Sequence, residues 1–394
     1  EMLTKEELFR HFDQEFGESS QTTNIFYAPG RVNLIGEHTD YNQGYVMPFA
    51  INYGTFLLIR ANNMKRFRFK SLNLSEKRTV LATDNFENHK NGWWKYPLGI
   101  INEFNKLGFA LQPSDFLFYG TIPDSAGLSS SASVEMVTAT GLNFLLNAQY
   151  SALQLVQLAK KCENNFIGLN CGIMDMFAIG MGRRGDAMQI DCDSLNFDHI
   201  PAKLPGYQWV VCDTKKQRLL SESKYNERVE ECAKALEIFR QKVKVRHLSE
   251  ISIEQLNENK ELFSNEEILY RRAQHIISEN KRVLDMGIAL RNLDIDTIEK
   301  LMIESHNSLK HNYEVSGMQL DTMVEEAIQL NGVRGARMTG AGFGGCAILL
   351  AESKKVDDII EKLGLQYHEK TGLLPAFYKV EPSDGSITFI SKMS

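Results

Sequence analysis

The sequence lacks the features that mark membrane, secreted and nucleic-acid-binding proteins. It contains no uninterrupted apolar run of the roughly 18 residues that a membrane-spanning helix requires. Segment 1–6 is polar, so we expect no secretion signal there. The formal net charge is −6 and no basic cluster stands out, which excludes the electrostatic surface that binds nucleic acid. The sequence thus predicts a globular cytoplasmic protein whose partners include neither membrane nor nucleic acid.

Proline and cysteine are also scarce. The chain has nine prolines and six cysteines, and the cysteines show no paired spacing of the kind that binds a metal. They are Cys162, Cys171, Cys192, Cys212, Cys232 and Cys346. Four of them lie among apolar or small residues, where a reduced cysteine packs as a small core side chain. We therefore expect free thiols in a reducing compartment.

Patterns typical of strands and helices alternate along the 394 residues, without a low-complexity linker or an internal repeat. Strands are predicted at 45–51, 55–60, 67–70, 116–119, 209–212 and 346–351, and helices at 132–146, 155–162 and 229–239. Segment 250–330 is predominantly helical by pattern. The proline- and glycine-marked segment 199–206 is the predicted boundary, which gives domains at 1–204 and 205–394 in an α+β protein of two lobes.

The most informative segment is Gly120-Thr-Ile-Pro-Asp-Ser-Ala-Gly-Leu-Ser-Ser-Ser-Ala-Ser133, which joins a glycine turn to three consecutive serines at a predicted helix start. Backbone N–H groups at a helix start lack internal partners and carry partial positive charge, which suits phosphate. The three serine hydroxyls could bind phosphate oxygens or a metal ion. Taken alone, the segment also fits a serine-rich helix cap, which is the commoner arrangement.

Segment 28–44 groups Arg31, Glu37, His38 and Asp40 among glycines. Side-chain acceptors this close together can bind several hydroxyls of a polyol at fixed angles, and an arginine can hold an oxyanion. A solvated turn with a local arginine–carboxylate pair fits the same composition equally well.

Two further carboxylates are candidates for a site. Asp175 stands among the apolar residues of segment 171–177, and a buried carboxylate is costly unless it is paired or functional. We expect no strong helix directly after Asp175, which argues against a capping role. Glu163 ends the predicted helix 155–162 and could bind Mg²⁺, although a solvated helix residue is the simpler interpretation.

A second glycine-rich loop lies at 337–346 and leads into a predicted strand. Four glycines between residues 340 and 345 indicate a backbone that fits closely against a ligand. A simple turn before a strand gives the same pattern.

Together these segments resemble the GHMP kinases, whose signature regions occur in this order. The segment Gly30-Arg-Val-Asn-Leu-Ile-Gly-Glu-His-Thr-Asp-Tyr-Asn42 resembles the motif that is specific to the galactokinase branch. The resemblance continues through Asn170-Cys-Gly-Ile-Met-Asp175, Ser221-Glu-Ser-Lys-Tyr-Asn-Glu-Arg228 and Thr339-Gly-Ala-Gly-Phe-Gly-Gly-Cys346. It therefore spans nearly the whole chain.

The resemblance implies transfer of the ATP γ-phosphoryl group to the C1 hydroxyl of α-D-galactose, with Mg²⁺, as the first step of galactose catabolism. It also implies a two-lobed GHMP kinase fold. In that fold the N-terminal lobe is ribosomal-protein-S5-like and α/β, the C-terminal lobe is ferredoxin-like and α+β, and the active site lies between them. The expected ligands are galactose and ATP, and we expect a monomer without an obligate protein partner.

Site residues follow from the positions that match the family's motifs. Asp175 corresponds to the catalytic carboxylate that takes the C1-hydroxyl proton, and Arg31 lies beside it. Residues expected to bind the sugar are Glu37, His38, Asp40, Gly172 and Tyr225. Residues expected to contact ATP are Gly127, Leu128, Ser129, Ser130, Ser131, Ala132 and Ser133, with Trp93 and Tyr96 near the adenine. The expected Mg²⁺ ligands are Ser131 and Glu163.

Three positions depart from the family's pattern, and two alternative functions stay open. Ser125 and Gln43 stand where many relatives have glycine, and Met176 stands where glutamine is common. The first alternative is a GHMP kinase for another substrate, above all N-acetylgalactosamine. The second is a non-catalytic relative that senses galactose and ATP. The polar cluster in segment 37–40 favours a hexose, and the intact serine loop together with Asp175 favours an enzyme.

Overall fold

The computed structural model of the chain describes residues 2–124, 127–169, 171–217 and 221–393. Ser125, one of the departures from the family's pattern, lies outside the described residues. Helices and strands alternate in two lobes, which confirms the predicted α+β class. Within the described part of the chain, no helix has both the length and the apolar composition needed to cross a membrane.

The strands of the N-terminal lobe form two sheets. They are β1 (Asn24–Asn33), β2 (Tyr45–Val46), β3 (Pro48–Ala61), β4 (Arg66–Ser71), β5 (Lys77–Leu81), β6 (Ser114–Gly120), β7 (Asp186–Asp191) and β8 (Phe197–Pro201). The larger sheet has the order β1-β3-β6-β4-β5, in which β4 and β6 pair in parallel and the other neighbours pair antiparallel. The smaller sheet has the order β2-β7-β8.

Helices cover both faces of the larger sheet. On one face lies α1 (Lys5–Phe16), which packs Leu8 and Phe12 against the strands. On the other face lie α3 (Ser130–Leu145) and α5 (Met174–Met181), with α2 (Lys95–Lys106) and α4 (Ala152–Lys161) packed beside them. Because side chains of a strand alternate between faces, a sheet covered on both sides needs continuous apolar strands. This explains the apolar run Phe56-Leu-Leu-Ile59 in β3.

The C-terminal lobe combines a four-stranded antiparallel sheet with a larger set of helices. The strands are β9 (Tyr207–Asp213), β10 (Val333–Thr339), β11 (Cys346–Glu352) and β12 (Ala376–Val380), in the order β10-β11-β9-β12. The helices are α6 (Ser221–Phe239), α7 (Ile253–Glu258), α8 (Glu267–Arg291), α9 (Ile295–Ser308), α10 (Met318–Ile328) and α11 (Val356–Thr371). The final helix, α12 (Ser386–Met393), returns to the N-terminal lobe and packs on β1, α3 and α5.

An apolar cluster joins the two lobes. Val32 and Phe49 from the N-terminal sheets meet Val211 and Ile348 from the C-terminal sheet, and all four side chains are fully buried. Burial of this apolar surface stabilises the lobes as a pair and fixes one side of the cleft between them. The predicted boundary at 204/205 lies in the turn between β8 and β9, and it stays a prediction.

Every strand and helix predicted from the sequence has a counterpart, but some elements were not predicted. Segments 45–51 and 55–60 belong largely to one strand, β3. The expectation that no helix begins near Asp175 is wrong, because α5 begins at Met174. The residues of α5 are apolar on nearly all sides and mostly buried, so they lack the amphipathic period that indicates a helix.

Candidate active site

Two cavities lie in the cleft between the lobes, and a third adjoins them on the N-terminal lobe. The first, of about 260 Å³, is lined by Arg31 and Asp175 from the N-terminal lobe and by Ala341 from the C-terminal lobe. The second, of about 670 Å³, shares these three residues with the first. The third, of about 230 Å³, shares Ser130 and Ser131 with the second.

The cavities bring most of the predicted site residues together. The first is lined by Arg31, Glu37, His38, Asp40, Ser131, Ala132, Glu163, Gly172, Asp175 and Tyr225. The second adds Gly127, Ser129 and Ser130, and the third holds Trp93 and Tyr96. Leu128 and Ser133 line none of these three cavities.

Arg31 and Asp175 form an ion pair where the first and second cavities meet. Arg31 Nε donates to Asp175 Oδ1 over 2.7 Å, and Ser129 Oγ donates to Asp175 Oδ2 over 2.6 Å, so both carboxylate oxygens are held. Burial alone would lower the pKa of Arg31, but the adjacent Asp175 carboxylate outweighs it and raises that pKa. The guanidinium therefore stays charged inside the protein.

Local chain geometry aims Arg31 and Asp175 at each other. The pairing of β1 with β3 contains a bulge between Pro29 and Arg31, where the proline has no N–H to donate. The Arg31 backbone N–H donates instead to the Leu128 carbonyl over 3.2 Å, and Arg31 Nη1 donates to the Gly127 carbonyl over 3.1 Å. Asp175 lies in the first turn of α5, where the helix dipole favours a carboxylate.

The start of α3 has an unusual cap. Ser129 adopts a left-handed conformation with φ 62° and ψ 48°, and its hydroxyl caps no N–H group within the described residues of α3. Because that side chain is turned to Asp175 and caps none of them, the backbone N–H groups at the helix start are left for the second cavity, which Ser130 and Ser131 line. With the helix dipole, these groups make a site for an anion.

Ser133 and Leu128 face the protein interior. Ser133 Oγ donates to the Ala28 carbonyl over 3.0 Å and lies 2.9 Å from Thr55 Oγ1, whose hydroxyl can donate to it. The Leu128 side chain is 1% exposed and belongs to the core between the lobes. Both side chains hold α3 and its loop on the sheet, so their predicted contact with ATP could involve only backbone atoms.

Glu37 is anchored by the C-terminal lobe. The Gly340 N–H donates to Glu37 Oε1 over 2.9 Å, and Arg337 Nη2 lies 3.3 Å from the same oxygen. Arg337 is fully buried and also donates to the Asn33 and Leu34 carbonyls over 3.0 Å. Burial raises the pKa of Glu37, whereas the Arg337 charge opposes that shift. The sequence motif that carries Glu37 is thus tied to the second glycine-rich loop, 337–346.

Asp40 is packed against the backbone of Gly172. A Cβ on Gly172 would lie 1.9 Å from Asp40 Oδ2, so only glycine fits at this position. Burial raises the pKa of Asp40 to about 6, and the negative charge of Asp175 adds to the shift. Tyr225, on α6, adds an aromatic wall to the same cavity, with its ring centre 5.7 Å from that of His38.

Both ring nitrogens of His38 contact protein atoms. Nδ1 lies 2.8 Å from the Tyr41 hydroxyl, and Nε2 lies 2.8 Å from the Ala341 carbonyl oxygen. Burial lowers the pKa of His38 to about 3, so the ring is neutral. His38 lines the first cavity, but its nitrogens are already used within the protein.

Glu163 and Ser131 line the first cavity together and offer oxygen ligands. Glu163 lies in a π-helical turn, Cys162–Ile167, a local widening that is common at functional sites. Its buried Oε2 receives no hydrogen bond from the part of the chain that the structure describes. The described residues include no group of three or more His, Cys, Asp or Glu side chains arranged around a metal. Mg²⁺ keeps waters and phosphate oxygens as ligands, so two protein oxygens fit its needs.

Glu135 adjoins Glu163 and was missed by the sequence reasoning. It is fully buried, and among the described residues its carboxyl group has no hydrogen-bond partner other than the carboxyl group of Glu163. Burial raises the pKa of Glu135 well above its usual range, and the neighbouring Glu163 adds to the shift. Its spacing of one helical turn from Ser131, on the same face of α3, was the signal that could have found it.

The third cavity has an aromatic border. Trp93 Nε1 donates to the Glu76 carbonyl over 3.3 Å, and the indole ring lies 5.5 Å from the ring of Phe118. Tyr96, in the first turn of α2, lines the same cavity. Aromatic rings close to Ser130 and Ser131 fit a flat, largely apolar ring such as a nucleotide base.

Two of the departures from the family's pattern can be placed. Gln43 adopts φ 57°, the left-handed region that glycine reaches most easily, which explains a preference for glycine there. Met176 lines the first cavity next to Asp175. Gln43 lines none of the three cavities.

Three family models match successive parts of the chain, and curated relatives match nearly its whole length. Residues 10–61 match the galactokinase galactose-binding signature, 95–183 the GHMP kinases N terminal domain, and 288–369 the GHMP kinases C terminal domain. The chain is 42% identical to the galactokinase of Clostridium acetobutylicum, over 92% of this chain and 94% of that one. It is 41% identical to the galactokinase of Enterococcus faecalis, over 97% of this chain and 99% of that one.

Solved structures agree with these relatives. The crystal structure of Lactococcus lactis galactokinase complexed with galactose matches with a TM-score of 0.90 and 38% identity, over 96% of this chain and 98% of that chain. The Methanococcus jannaschii mevalonate kinase matches with a TM-score of 0.69 over 93% of this chain and 100% of that chain. At 19% identity, this second likeness shows the fold alone.

Proposed function

Because the chain belongs to the galactokinase family within the GHMP kinases, we propose that it transfers the γ-phosphoryl group of ATP to the C1 hydroxyl of α-D-galactose. The chain is a sugar kinase with the two-lobed GHMP fold, and its products would be galactose 1-phosphate and ADP. The observation that carries the proposal is the position of Asp175 between two features of the cleft. One is the segment 30–42, called the sugar motif below, which lines the first cavity, and the other is the start of α3, which lines the second. A hydroxyl nucleophile and a phosphoryl group would meet at this place.

Asp175 is the residue that receives the proton. The C1 hydroxyl oxygen forms a bond to the γ-phosphorus, the bond from that phosphorus to the β–γ bridging oxygen breaks, and the hydroxyl proton passes to Asp175. Arg31 and Ser129 each hold one carboxylate oxygen, at 2.7 and 2.6 Å, so the carboxylate is aimed before the sugar arrives. Phosphoryl transfer depends mainly on such positioning and on charge stabilisation.

Positive charge from two sources stabilises the negative charge of the transferred phosphoryl group. Arg31 supplies a permanent positive charge beside Asp175, and the start of α3 supplies backbone N–H groups and the positive end of its dipole. We propose that Glu163 and Ser131 bind Mg²⁺, which when bound neutralises charge on the ATP phosphates. We assign ATP phosphates to the second cavity and adenine to the third, beside Trp93 and Tyr96.

Galactose is assigned to the first cavity. Glu37, Asp40 and Tyr225 line this cavity with polar atoms, and the close contact of Asp40 with Gly172 holds one of these acceptors in place. A site built to pair with particular hydroxyls rejects sugars that leave its polar groups unpaired.

We also propose domains at 1–204 and 205–394, with α12 at the end of the second domain packed on the first. The described cysteines form no disulfide, and this together with the use of ATP supports a reducing cytoplasmic compartment.

The test is a panel of sugars with Mg-ATP and ADP release as the measured quantity. We expect turnover with galactose and the formation of galactose 1-phosphate. Asp175→Ala should remove most of the activity, while circular dichroism shows an intact fold and the loss of the partner of buried Arg31 lowers the unfolding temperature. The absence of ADP release with galactose would defeat the proposal.

The same panel separates the two alternatives. Faster turnover of N-acetylgalactosamine than of galactose would assign the chain to a different sugar. Tight galactose binding in a calorimeter without ADP release would instead indicate a sensor. Both outcomes contradict the proposal in distinguishable ways.

A further inference from the structure

A row of hydrogen-bonded side chains runs from the first cavity into the core of the C-terminal lobe. The Tyr41 hydroxyl lies 2.8 Å from His38 Nδ1 and 2.5 Å from the Tyr313 hydroxyl, which in turn lies 3.1 Å from Cys232 Sγ. At the other end, His38 Nε2 lies 2.8 Å from the Ala341 carbonyl oxygen. His38, Tyr313 and Cys232 are at most 4% exposed.

The number of available protons determines which group donates in each hydrogen bond of this row, and we call this order the direction of the row. A carbonyl oxygen can only accept, so the hydrogen on Nε2 must be the one donated to Ala341. A neutral imidazole has one N–H, so Nδ1 accepts from the Tyr41 hydroxyl. Tyr41 has then used its only proton, so Tyr313 donates to Tyr41, and the Cys232 thiol donates to Tyr313. Burial of His38 without a carboxylate partner keeps its ring in this neutral form.

The loop at the end of this row needs an external anchor. Gly340, Gly342, Gly344 and Gly345 all have positive φ, between 80° and 118°, a region in which glycine alone is unstrained. The chain between them has much conformational freedom to lose on folding. Two contacts with the segment 30–42 hold the dipeptide Gly340–Ala341 at both of its ends: the Gly340 N–H donates to Glu37, and the Ala341 carbonyl accepts from His38. That peptide lines both the first and the second cavity.

We propose that Tyr41 and Tyr313 are positioning residues that orient the His38 ring, and that His38 in turn holds the Gly340–Ala341 peptide against the sugar motif. The ring of His38 then has no nitrogen left for a sugar hydroxyl, and its role changes from sugar ligand to support of the loop. The consequence for catalysis rests on the proposed galactose kinase activity, whereas the direction of the hydrogen bonds does not.

Two hydroxyl deletions test the direction of the row. Tyr41→Phe leaves the buried Nδ1 of His38 without a donor, so we expect kcat/KM for galactose to fall about tenfold or more through a higher KM. Tyr313→Phe leaves the Tyr41-to-His38 bond in place, so we expect a loss of at most about threefold. Tyr270→Phe is the control and should resemble the unchanged protein. Tyr270 is a buried residue in the first turn of α8 and lines none of the three cavities. Partial unfolding would lower kcat without raising KM.

Nitrogen NMR of histidine-labelled full-length protein supplies a readout independent of activity. We expect the His38 signals, assigned by their loss in His38→Asn, to show a neutral ring with hydrogen on Nε2. In Tyr41→Phe the Nδ1 signal should shift, and in Tyr313→Phe it should hardly change.

Three results would overturn the inference. They are hydrogen on Nδ1 of His38, unchanged galactose kinetics in Tyr41→Phe, or a larger effect of Tyr313→Phe than of Tyr41→Phe. If the unchanged protein does not phosphorylate galactose, the proposed function fails, and the NMR result still decides the direction of the row.

Discussion

Gly172 shows how a missing side chain shapes the first cavity. A Cβ at this position would lie 1.9 Å from Asp40 Oδ2 and 2.6 Å from Asp40 Cγ, so Gly172→Ala must displace the Asp40 carboxylate. We expect KM for galactose to rise about tenfold or more, since a displaced acceptor loses its bond to the sugar. KM for ATP should change much less. Steady-state kinetics with each substrate varied in turn measures both.

Gly364→Ala provides the matched control for that substitution. Gly364 lies in the interior of α11, where an added Cβ would make only an ordinary contact, 3.4 Å from a Phe377 ring carbon. Alanine has the higher helix propensity, so this variant should keep full activity and equal or greater stability. A Gly172→Ala enzyme with unchanged galactose KM would show that Asp40 does not bind the sugar from this position.

Asp40 is the group from which we expect a pH dependence of sugar binding. Burial raises its pKa to about 6, and the charges of Asp175 and Glu37 contribute, while a hydrogen bond from the backbone opposes the shift. A raised pKa means that the acceptor carboxylate is present above about pH 6 and becomes protonated below it. KM for galactose should therefore rise as the pH falls from about 7 to about 5.

Asp40→Asn separates this titration from others. The amide cannot titrate, so this variant should bind galactose more weakly at every pH and lose the rise in KM on the acid side. The same rise in both proteins would assign the titration to another group.

At the scale of single residues, sequence reasoning worked best where neighbours in sequence are also neighbours in space. Glu37, His38 and Asp40 were found together because one short segment carries them. Tyr313 could not be found in this way, because 272 residues separate it from Tyr41. Ser133 was grouped with the loop serines, yet its turn of α3 directs it to Ala28 and Thr55 in the sheet.

The start of α3 is an element whose geometry divides its serines by role. Ser129 donates to Asp175, whereas Ser130 is exposed at the first helical position and lines the second cavity. Ser129→Ala removes a hydrogen bond to a charged group, so we expect kcat to fall about tenfold or more with a nearly unchanged KM for ATP. Ser130→Ala should instead raise KM for ATP. Initial rates over a range of ATP concentrations at saturating galactose distinguish the two.

Ser129→Gly completes this comparison. It removes the same hydroxyl and also relieves the left-handed strain at φ 62°, so it should match Ser129→Ala in kcat and be the more stable of the two. A Ser129→Ala enzyme with a higher KM for ATP and full kcat would mean that the hydroxyl binds nucleotide.

Elements with a clear hydrophobic period were predictable, and those shaped by tertiary contacts were not. α4 and α6 carry amphipathic patterns, and β9 and β11 are short apolar runs. β1 was hidden because Pro29, Gly30 and Arg31 interrupt its pattern at the bulge that aims Arg31. The π-helical turn at Cys162–Ile167 has no sequence signature, because its widened geometry depends on packing around Glu163 and Phe166.

For the whole molecule, the returning C-terminal helix makes the N-terminal lobe depend on the end of the chain. After β12, the Ser383 N–H donates to the Ala50 carbonyl over 2.8 Å, and the Gly385 N–H donates to the Gly182 carbonyl over 2.8 Å. In α12, the ring of Phe389 packs 4.7 Å from that of Tyr27 in β1. A linear division into two domains from the sequence pattern could not anticipate this return, because α12 carries no signal for its partner.

Gly385 is where this return can be tested with a single substitution. A Cβ there would lie 2.6 Å from the Gly182 nitrogen and 2.8 Å from the Gly180 carbonyl oxygen, both rigid backbone atoms at the end of α5. Gly385→Ala should therefore undock α12 and destabilise the protein by about 1–3 kcal/mol, which lowers the unfolding temperature by several degrees. Because Asp175 lies at the opposite end of α5, kcat of the folded enzyme at low temperature should be unchanged.

Thermal unfolding followed by circular dichroism measures the effect of Gly385→Ala. Leu374→Ala is the control, because Leu374 is 72% exposed. Equal unfolding temperatures for Gly385→Ala and the unchanged protein would mean that the stability of the protein does not depend on the docking of α12.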